Sequence, residues 1–311
     1  MTTQQIESVA VVGAGALGGM YAAHFVEGGL RTSLVASGER AARLRARGVR
    51  VNGRPLTATV VTPHDTDPRP VDLVLVAVKH HQLRDALEDV APFVTPGTTL
   101  VSVLNGLESE HVIAERFAPE QVLACIALGM AAGREGAEIT YLSPGRLSLG
   151  TTDELGTPDR LRAVQDALTT AGLAWESPTD MAHEMWWKFM VNTAINQSSA
   201  VLRAPYADFT HDGPARSLML ALVDEVVAVA AAEGVTLDEE DRERWDEVLA
   251  SLPGEGHTSM LQDVLAGRPT EVALFADHVL ALGARHGIET PYNRTMSWIL
   301  TGSRTPGALT S

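Results

Sequence analysis

The chain has 311 residues, 45% hydrophobic and 20% charged, which predicts a globular protein large enough for two domains. Its net charge of −15 excludes nucleic-acid binding through a general electrostatic attraction. The single cysteine, Cys125, excludes an intramolecular disulfide and a cysteine-based zinc site, and it fits a reducing compartment such as the cytoplasm.

The N-terminus and the hydropathy pattern predict a soluble protein with no membrane partner. Met1–Ser8 is polar and lacks the basic flank and small-residue cleavage site of a signal peptide. No apolar stretch reaches the ~20 residues that a membrane-spanning helix needs.

The first half of the chain alternates short β-branched runs with helical patterns. The run Val71–Val78 (VDLVLVAV) is continuously apolar, as expected for a strand that is covered on both faces. This alternation predicts a doubly wound parallel sheet. The predicted strands are Ser8–Val12, Thr32–Ala36, Val71–Val78, Thr98–Leu104, Val122–Leu128, Arg146–Gly150 and Leu173–Glu176, and the predicted helices are Ala16–Glu27 and Glu39–Arg47.

From about Ser177 onward, helical patterns replace the strands. Ser177 has the position of an N-cap, Pro178 that of the first helical residue, and Asp180 lies three residues after the cap. We therefore predict an α/β domain over residues 1–178 and an all-helical domain over residues 179–311. The tail after Leu300, rich in glycine, serine and proline, is expected to fray. The predicted helices are Met181–Leu202, Pro214–Glu233, Glu239–Leu252 and Thr270–His286.

A glycine-rich sequence, GAGALG, follows the first predicted strand and opens the first predicted helix. In this context, Gly13 permits a tight turn, Gly15 lets a pyrophosphate approach the backbone, and Gly18 lets the helix pack closely on the strand. Backbone N–H groups at the helix start, at Ala16 and Leu17, would hold the phosphates even in an acidic protein. The pattern predicts a Rossmann-type dinucleotide site, and the alternative is a glycine turn that binds no ligand.

The end of the second predicted strand favours NADP over NAD. NAD-binding folds usually place an acidic residue there to hold the ribose 2′-hydroxyl, but this chain has Ser37, with Glu39 nearby. Ser37 could donate to a 2′-phosphate, and Arg40 or Arg43 could neutralise it. For each arginine, a solvated helix face is the alternative interpretation.

One predicted helix carries a lysine and two asparagines at intervals of four residues. Lys188, Asn192 and Asn196 share one stripe of this helix, because each step of four residues turns it by only ~40°. The stripe lies among aromatic and aliphatic residues, and burial lowers the pKa of an ammonium group, which would suit Lys188 to proton donation. The alternative is a lysine at the surface of an amphipathic helix. His80-His81 lacks a complementary set of ligands in the sequence, so no metal site is expected.

Several motifs occur in one order along nearly the whole chain. They are the glycine loop from Gly13, Val78-Lys79, Asn105-Gly106, W-x-K-x-x-x-N-x-x-x-N over Trp186–Asn196, TSMLQD over Thr258–Asp263, Thr270-Glu271 and Pro291-Tyr292-Asn293. In this order they resemble the ketopantoate reductase (2-dehydropantoate 2-reductase) family. TSMLQD and the lysine–asparagine motif are far more specific than the glycine loop.

The resemblance implies a Rossmann domain joined to a helical domain, with NADPH and a small 2-keto acid in the cleft between them. It implies reduction of ketopantoate to D-pantoate for pantothenate and coenzyme A synthesis, with Lys188 as the general acid and Glu271 as a ligand of the substrate hydroxyl. Substrate groups would contact Lys79, Asn105, Asn192, Asn196 and Ser259, and the cofactor would contact Gly13, Gly15, Ala16, Leu17, Gly18, Ser37, Arg40, Lys79, Asn105 and Glu271. A homodimer is possible, since the apolar helix at Leu218–Ala232 suits either a core or a dimer face.

The chain departs from the family pattern near the expected substrate-binding glutamate. Ala273 stands where an acidic residue is usual, and Asp277 stands where glycine is frequent. Ser37 replaces a common arginine, and Leu104 replaces a polar residue. Two alternatives therefore stay open: an oxidoreductase of similar type acting on another 2-keto acid or a secondary alcohol, and a dinucleotide-binding protein without enzymatic activity.

Overall fold

The structure, a computed structural model, describes residues 5–65 and 68–302. Within it the chain divides after Ala182 into two compact units. The strands of the first unit, in chain order, are β1 Ser8–Val12, β2 Arg31–Val35, β3 Arg50–Val51, β4 Arg54–Pro55, β5 Thr59–Val61, β6 Leu73–Val76, β7 Thr99–Ser102, β8 Val122–Leu128, β9 Ala131–Glu135, β10 Glu138–Ser143, β11 Arg146–Gly150 and β12 Ala174–Glu176. The helices are α1 Ala16–Glu27, α2 Gly38–Arg47, α3 Leu83–Val90, α4 Ser109–Arg116, α5 Pro158–Thr170, α6 Met181–Leu202, α7 Pro214–Ala232, α8 Glu239–Ser251, α9 Ser259–Leu265, α10 His278–His286 and α11 Pro291–Gly302.

An eight-stranded sheet forms the centre of the first unit, in the order β12-β11-β8-β7-β6-β1-β2-β5. The six strands from β8 to β5 are parallel, whereas β11 runs antiparallel to β8 and β12 follows the direction of β11. The predicted doubly wound sheet is confirmed in its parallel part. At this edge β11 runs antiparallel because it follows β8 through the β9–β10 hairpin rather than through a crossover helix.

The central strands are buried because helices cover both faces of the sheet. In β1, Val9 and Val11 join one apolar cluster, whereas Ala10 and Val12 join the cluster on the opposite face. Helices α1, α2 and α5 contribute to the first cluster, and α3 and α4 contribute to the second. This two-sided burial explains the continuous apolar runs in the sequence.

A second, four-stranded sheet, in the order β4-β3-β10-β9, was not predicted from the sequence. Two of its strands are only two residues long, and β10 pairs in parallel with the distant β3. It packs closely on α1, since a Cβ at Gly19 would lie 2.2 Å from the Ile139 side chain.

The order in which the chain adds strands to the sheet reverses between β1 and β6, so their carboxyl ends flank a topological switch point. The chain runs from β1 to β2 on one side and later returns to β6 on the other side of β1. The segments after the strands are held together there: the Ala77 N–H donates to the Val12 carbonyl at 2.9 Å, and the Val103 N–H donates to the Val76 carbonyl at 3.0 Å. Ligands of open α/β sheets bind at such a switch point.

The second unit is helical, and the described part of it contains no strand. The buried carboxylate of Glu225 on α7 accepts hydrogen bonds from the backbone N–H groups of Tyr292 and Asn293 at 2.7 and 2.9 Å, and from Asn293 Nδ2 at 2.8 Å. An acidic group at this point satisfies free N–H groups at the start of α11 and favours its helix dipole. No helix among residues 5–65 and 68–302 is long and apolar enough to cross a membrane.

Two helix predictions need correction. Helix α6 begins at Met181, and the Ser177 hydroxyl donates to the Leu149 carbonyl at 2.9 Å, so Ser177 is not its N-cap. The long helix predicted from Thr270 begins later, with a π-helix over Ala273–Asp277 that leads into α10. The other helix and strand predictions agree with the structure within a few residues at each end. The predicted fraying of the tail concerns mainly residues 303–311, which lie outside the described residues.

Candidate active site

The glycine loop between β1 and α1 has a geometry that only glycine permits at two positions. Gly13 has φ +102°, and a Cβ there would lie 2.5 Å from the Ala77 carbonyl oxygen. A Cβ at Gly18 would lie 2.0 Å from the Gly13 carbonyl oxygen. Contacts this short require the backbone to move, so these glycines set the turn and the close approach of α1.

Gly15 differs from its neighbours, because a Cβ built on it would meet no atom within 4 Å. It is the N-cap of α1, and no side chain caps this helix end. Residues 15–17 are half-buried. The start of α1 therefore has open space beside Gly15 and no capping side chain, which fits the pyrophosphate of a dinucleotide.

At the end of β2, the fold brings in a carboxylate from a distant part of the sequence, that of Asp89. Ser37 Oγ donates to Asp89 Oδ2 on α3 at 2.7 Å. The expectation that no carboxylate stands at this position is therefore wrong. The two residues are 52 positions apart, and the fold brings them together. Ser37 could donate to a 2′-phosphate only by giving up this bond.

Positive charge is concentrated around Arg40 near the start of α2. Burial lowers the pKa of the Arg40 guanidinium, the charges of Arg134 and Arg43 lower it further, and Asp89 opposes them. Arg134 belongs to β9 of the second sheet, and the sequence analysis did not identify it. Two further guanidinium groups and one carboxylate thus act on Arg40, which leaves an excess of positive charge that suits an anionic ligand.

Lys79 and Asn105 follow β6 and β7 at the same edge of the sheet as the glycine loop. A polar contact links their two loops, with His80 Nε2 3.2 Å from Glu108 Oε2. Glu108 therefore provides a carboxylate beside His80. It forms one pair rather than a metal-ligand set, since the part of the chain described here has no cluster of three or more residues suited to a metal ion.

In the second unit, α6 carries the predicted lysine and asparagines. Lys188 is only 9% exposed, Asn196 is 6% exposed, and Asn192 is half-buried. Within residues 5–65 and 68–302, the side chains of Asn192 and Asn196 form no hydrogen bond. Amide groups that form no hydrogen bond within the protein can donate to and accept from a ligand, so this stripe is suited to a polar one.

Helix α6 is anchored to α8 just before Lys188. The Trp187 indole N–H donates to the Asp241 carbonyl at 3.0 Å, and the Arg244 guanidinium lies 3.8 Å from the centre of the Trp187 ring. The Arg244 guanidinium also donates to both carboxylate oxygens of Glu184, at 2.7 and 2.9 Å. These contacts fix the first two turns of α6, and with them the position of Lys188.

Glu271 lies two residues before the π-helix, and this segment packs on α6 beside Lys188. The Phe189 ring contacts Phe275 at 6.3 Å and His278 at 5.6 Å between centroids. Single π-helical turns are rare and occur frequently at functional sites. Aromatic packing thus connects the Glu271 segment to the residue that follows Lys188.

The remaining predicted positions lie at helix starts and on the surface. Thr258 is the buried N-cap of α9, and its hydroxyl accepts from the Leu261 N–H at 3.1 Å, which leaves Ser259 exposed in the first turn. Asp277 is exposed and accepts from Ser297 Oγ at 2.6 Å, so its carboxylate joins two helical segments at the surface. Ala273 is also exposed.

The structure thus groups the predicted residues in two sets. The first, along one edge of the main sheet, contains Gly13, Gly15, Ala16, Leu17, Gly18, Ser37, Arg40, Lys79 and Asn105. The second consists of the α6 stripe with Lys188, together with Glu271 and Ser259 in other segments of the helical unit. Sequence reasoning missed Asp89 and Arg134, and nothing in the local sequence of either residue marks it.

Comparisons with known proteins identify the family to which both parts of the chain belong. The family profile described as "Ketopantoate reductase PanE/ApbA" matches residues 9–154, and that of "Ketopantoate reductase PanE/ApbA C terminal" matches residues 180–302. A protein named 2-dehydropantoate 2-reductase from Archaeoglobus fulgidus is 26% identical over 298 residues, covering 96% of this chain and 98% of that protein.

Solved structures show the same fold. The crystal structure of 2-dehydropantoate 2-reductase from Geobacter metallireducens is 27% identical, with a TM-score of 0.82, and the match covers 95% of this chain and 99% of that one. A ternary structure of D-mandelate dehydrogenase with NADH and anilino(oxo)acetate is 22% identical, with a TM-score of 0.83 and coverage of 96% and 98%. At that identity the second likeness concerns the fold alone.

Proposed function

The chain belongs to the ketopantoate reductase family, and from this premise we propose that it reduces 2-dehydropantoate to D-pantoate with NADPH. The observation that carries the proposal is the burial of Lys188, 9% exposed, on one helical stripe with two asparagines. A ketone that accepts a hydride develops negative charge on its oxygen, so the site needs a proton donor there. A buried ammonium group supplies both the charge and the proton.

Each of the chain's own residues has a defined part in this reaction. Bound NADPH supplies the hydride that forms the new C–H bond at the keto carbon. Lys188 donates a proton from Nζ to the keto oxygen, which becomes the hydroxyl of the product. Asn192 and Asn196 orient the substrate by hydrogen bonds and, being neutral, do not repel its carboxylate. Glu271 accepts a hydrogen bond from the substrate hydroxyl.

The proposal of NADP rather than NAD depends on the charges at the end of β2. The charges of Arg43, Arg134 and Asp89 all act on the Arg40 guanidinium. A 2′-phosphate would form charge-assisted hydrogen bonds with guanidinium groups. The negative charge of Asp89 repels a 2′-phosphate, and its carboxylate suits the 2′-hydroxyl of NAD. NADP is therefore preferred only if the attraction of the arginines for the phosphate exceeds this repulsion.

A second candidate keeps the fold and the hydride chemistry but changes the keto acid. The observation that favours it is the exposed Ala273, two residues after Glu271, where the family usually has an acidic residue. The proposal for the whole protein also includes a cytoplasmic role in pantothenate synthesis and a homodimer.

The test is a panel of 2-keto acids with NADPH and NADH, followed at the nicotinamide absorbance band. We expect the highest kcat/KM for ketopantoate with NADPH. Faster turnover of another keto acid would favour the second candidate. A protein that binds NADPH and reduces no keto acid would contradict both and leave a dinucleotide-binding protein.

A further inference from the structure

A buried polar chain lies beneath the loop that carries Asn105, and the proposed reaction makes no use of it. It consists of Ser102 at the end of β7 and of Ser109 and Glu110 at the start of α4. Glu110 is 1% exposed, and both serines are equally buried. A buried carboxylate depends on hydrogen bonds for its stability, and the Ser109 hydroxyl supplies one of those at Glu110.

The hydrogen bonds of this chain run in one direction. The backbone N–H of Leu104 donates to Ser102 Oγ at 3.2 Å, and the Ser102 hydroxyl donates to Ser109 Oγ at 2.8 Å. The Ser109 hydroxyl in turn donates to Glu110 Oε2 at 2.8 Å. Each hydroxyl accepts one bond and donates the next, so the carboxylate at the end polarises the whole series.

This series of hydrogen bonds begins at the backbone N–H of Leu104, the residue that precedes Asn105. Gly106 follows with φ +94°, a left-handed conformation that side chains rarely adopt, so the backbone turns sharply at Asn105. A turn of this kind is well defined only where its backbone groups are fixed. In this loop, Leu104 is fixed from the buried side, while the Asn105 side chain is half-buried and forms no hydrogen bond within residues 5–65 and 68–302.

We propose that Glu110 is a positioning residue, which acts through Ser109 and Ser102 to hold the Leu104 backbone and thereby present Asn105 to its ligand. The contact of Asn105 with cofactor and substrate rests on the proposed function. The fixing of the Leu104 backbone does not rest on the proposed function, because the hydrogen bonds from Leu104 to Glu110 lie within the first unit and involve only protein groups.

The first test is hydrogen exchange of the full protein, with no ligand added. Ser109→Ala removes the middle of the chain, and we expect the amides of residues 103–106 to exchange at least tenfold faster. Glu110→Gln keeps an acceptor oxygen but removes the charge, so a smaller increase is expected. The matched control is Ser148→Ala on β11, which also removes a fully buried hydroxyl, one without a partner among the described residues. Unchanged exchange in both Ser109→Ala and Glu110→Gln would overturn the proposal.

The second test is a double-mutant cycle with Asn105→Ala on kcat/KM for the keto acid. Ser109→Ala should lower kcat/KM about tenfold in the native background and have no further effect in Asn105→Ala. Equal losses in both backgrounds would show that Ser109 does not act through Asn105, which contradicts the inference. If Asn105→Ala alone leaves kcat/KM unchanged, the assignment of Asn105 in the proposed function fails, and the exchange result still decides whether the chain holds Leu104.

Discussion

The glycine loop of the first unit and the α6 stripe of the second unit are both short motifs, but they constrain the sequence in different ways. The loop acts through its backbone, and the space around Gly13 and Gly18 excludes any side chain. The stripe acts through side chains that a regular helix displays at intervals of four residues. Substitutions in the loop should therefore affect folding and cofactor binding, whereas those in the stripe should affect the reaction while the fold persists.

The largest effect on stability is expected for Gly18→Ala. Its Cβ would lie 2.0 Å from the Gly13 carbonyl oxygen, and α1 can relieve this overlap only by moving away from the loop. Overpacking of this kind costs about 1–3 kcal/mol or more. Urea unfolding should show this loss of free energy, and NADPH titration should show weakened binding. A variant with native stability and native affinity would contradict the geometry described for the loop.

Gly15→Ala is the matched control for that variant. Its Cβ meets no atom within 4 Å, so the free energy of unfolding should change by less than about 0.5 kcal/mol. The added methyl group occupies the space where the pyrophosphate approaches, and the Kd for NADPH should rise at least tenfold. Native NADPH affinity in this variant would exclude the proposed position of the phosphates.

In the stripe, Asn196→Ala should lower activity while stability changes little. The Asn196 amide forms no hydrogen bond among the described residues, so its loss breaks no bond within the protein. Loss of one hydrogen bond to the substrate corresponds to a decrease of kcat/KM by about tenfold. Asn196→Asp should be more harmful, since it adds a negative charge beside the substrate carboxylate. Steady-state kinetics of the two variants, with thermal unfolding as the control, test this order.

A smaller change in cofactor preference is expected at the end of β2. Arg40→Ala should raise the Kd for NADPH about tenfold and leave the Kd for NADH nearly unchanged, because only NADPH carries the 2′-phosphate. Asp89→Asn should act in the opposite direction and tighten NADPH binding. Equal changes for the two cofactors in Arg40→Ala would contradict the assignment of Arg40 to the 2′-phosphate.

The smallest effect is expected for Asp277→Asn. Asp277 is exposed and bonded to Ser297, so the free energy of unfolding should change by less than about 0.5 kcal/mol. The KM for the keto acid should stay at its native value. A several-fold change in KM would place this carboxylate near the substrate and strengthen the case for a different keto acid.

The sequence predicted those parts of the fold that depend on local patterns. The strand Ser8–Val12, the helix Ala16–Glu27 and the helix Met181–Leu202 are confirmed, since burial and periodicity are visible within each segment. The second sheet was missed, because strands such as Arg50–Val51 are short and partly exposed and pair with distant residues. The π-helix was missed as well, since its start after Glu271 leaves the apolar periodicity nearly unchanged.

The long-range contacts of the candidate site could not be predicted from the sequence either. Asp89 reaches Ser37 only because the fold places the end of β2 beside α3, and Arg134 comes from a sheet that was not predicted. The hydrogen-bonded residues Ser102, Ser109 and Glu110 lie close together in the sequence, but serine and glutamate at a helix start are usually solvated. Their burial is a property of the folded sheet.

The central claim concerns proton donation by Lys188, and single-turnover reduction of ketopantoate by the NADPH-bound protein tests it most directly. Lys188→Ala should slow this step by a factor of about 10² to 10⁴ while the Kd for NADPH stays native. Lys188→Arg keeps the positive charge but holds its proton too tightly to donate it, and it should be slow as well. A native rate in Lys188→Ala would contradict the assignment of the general acid.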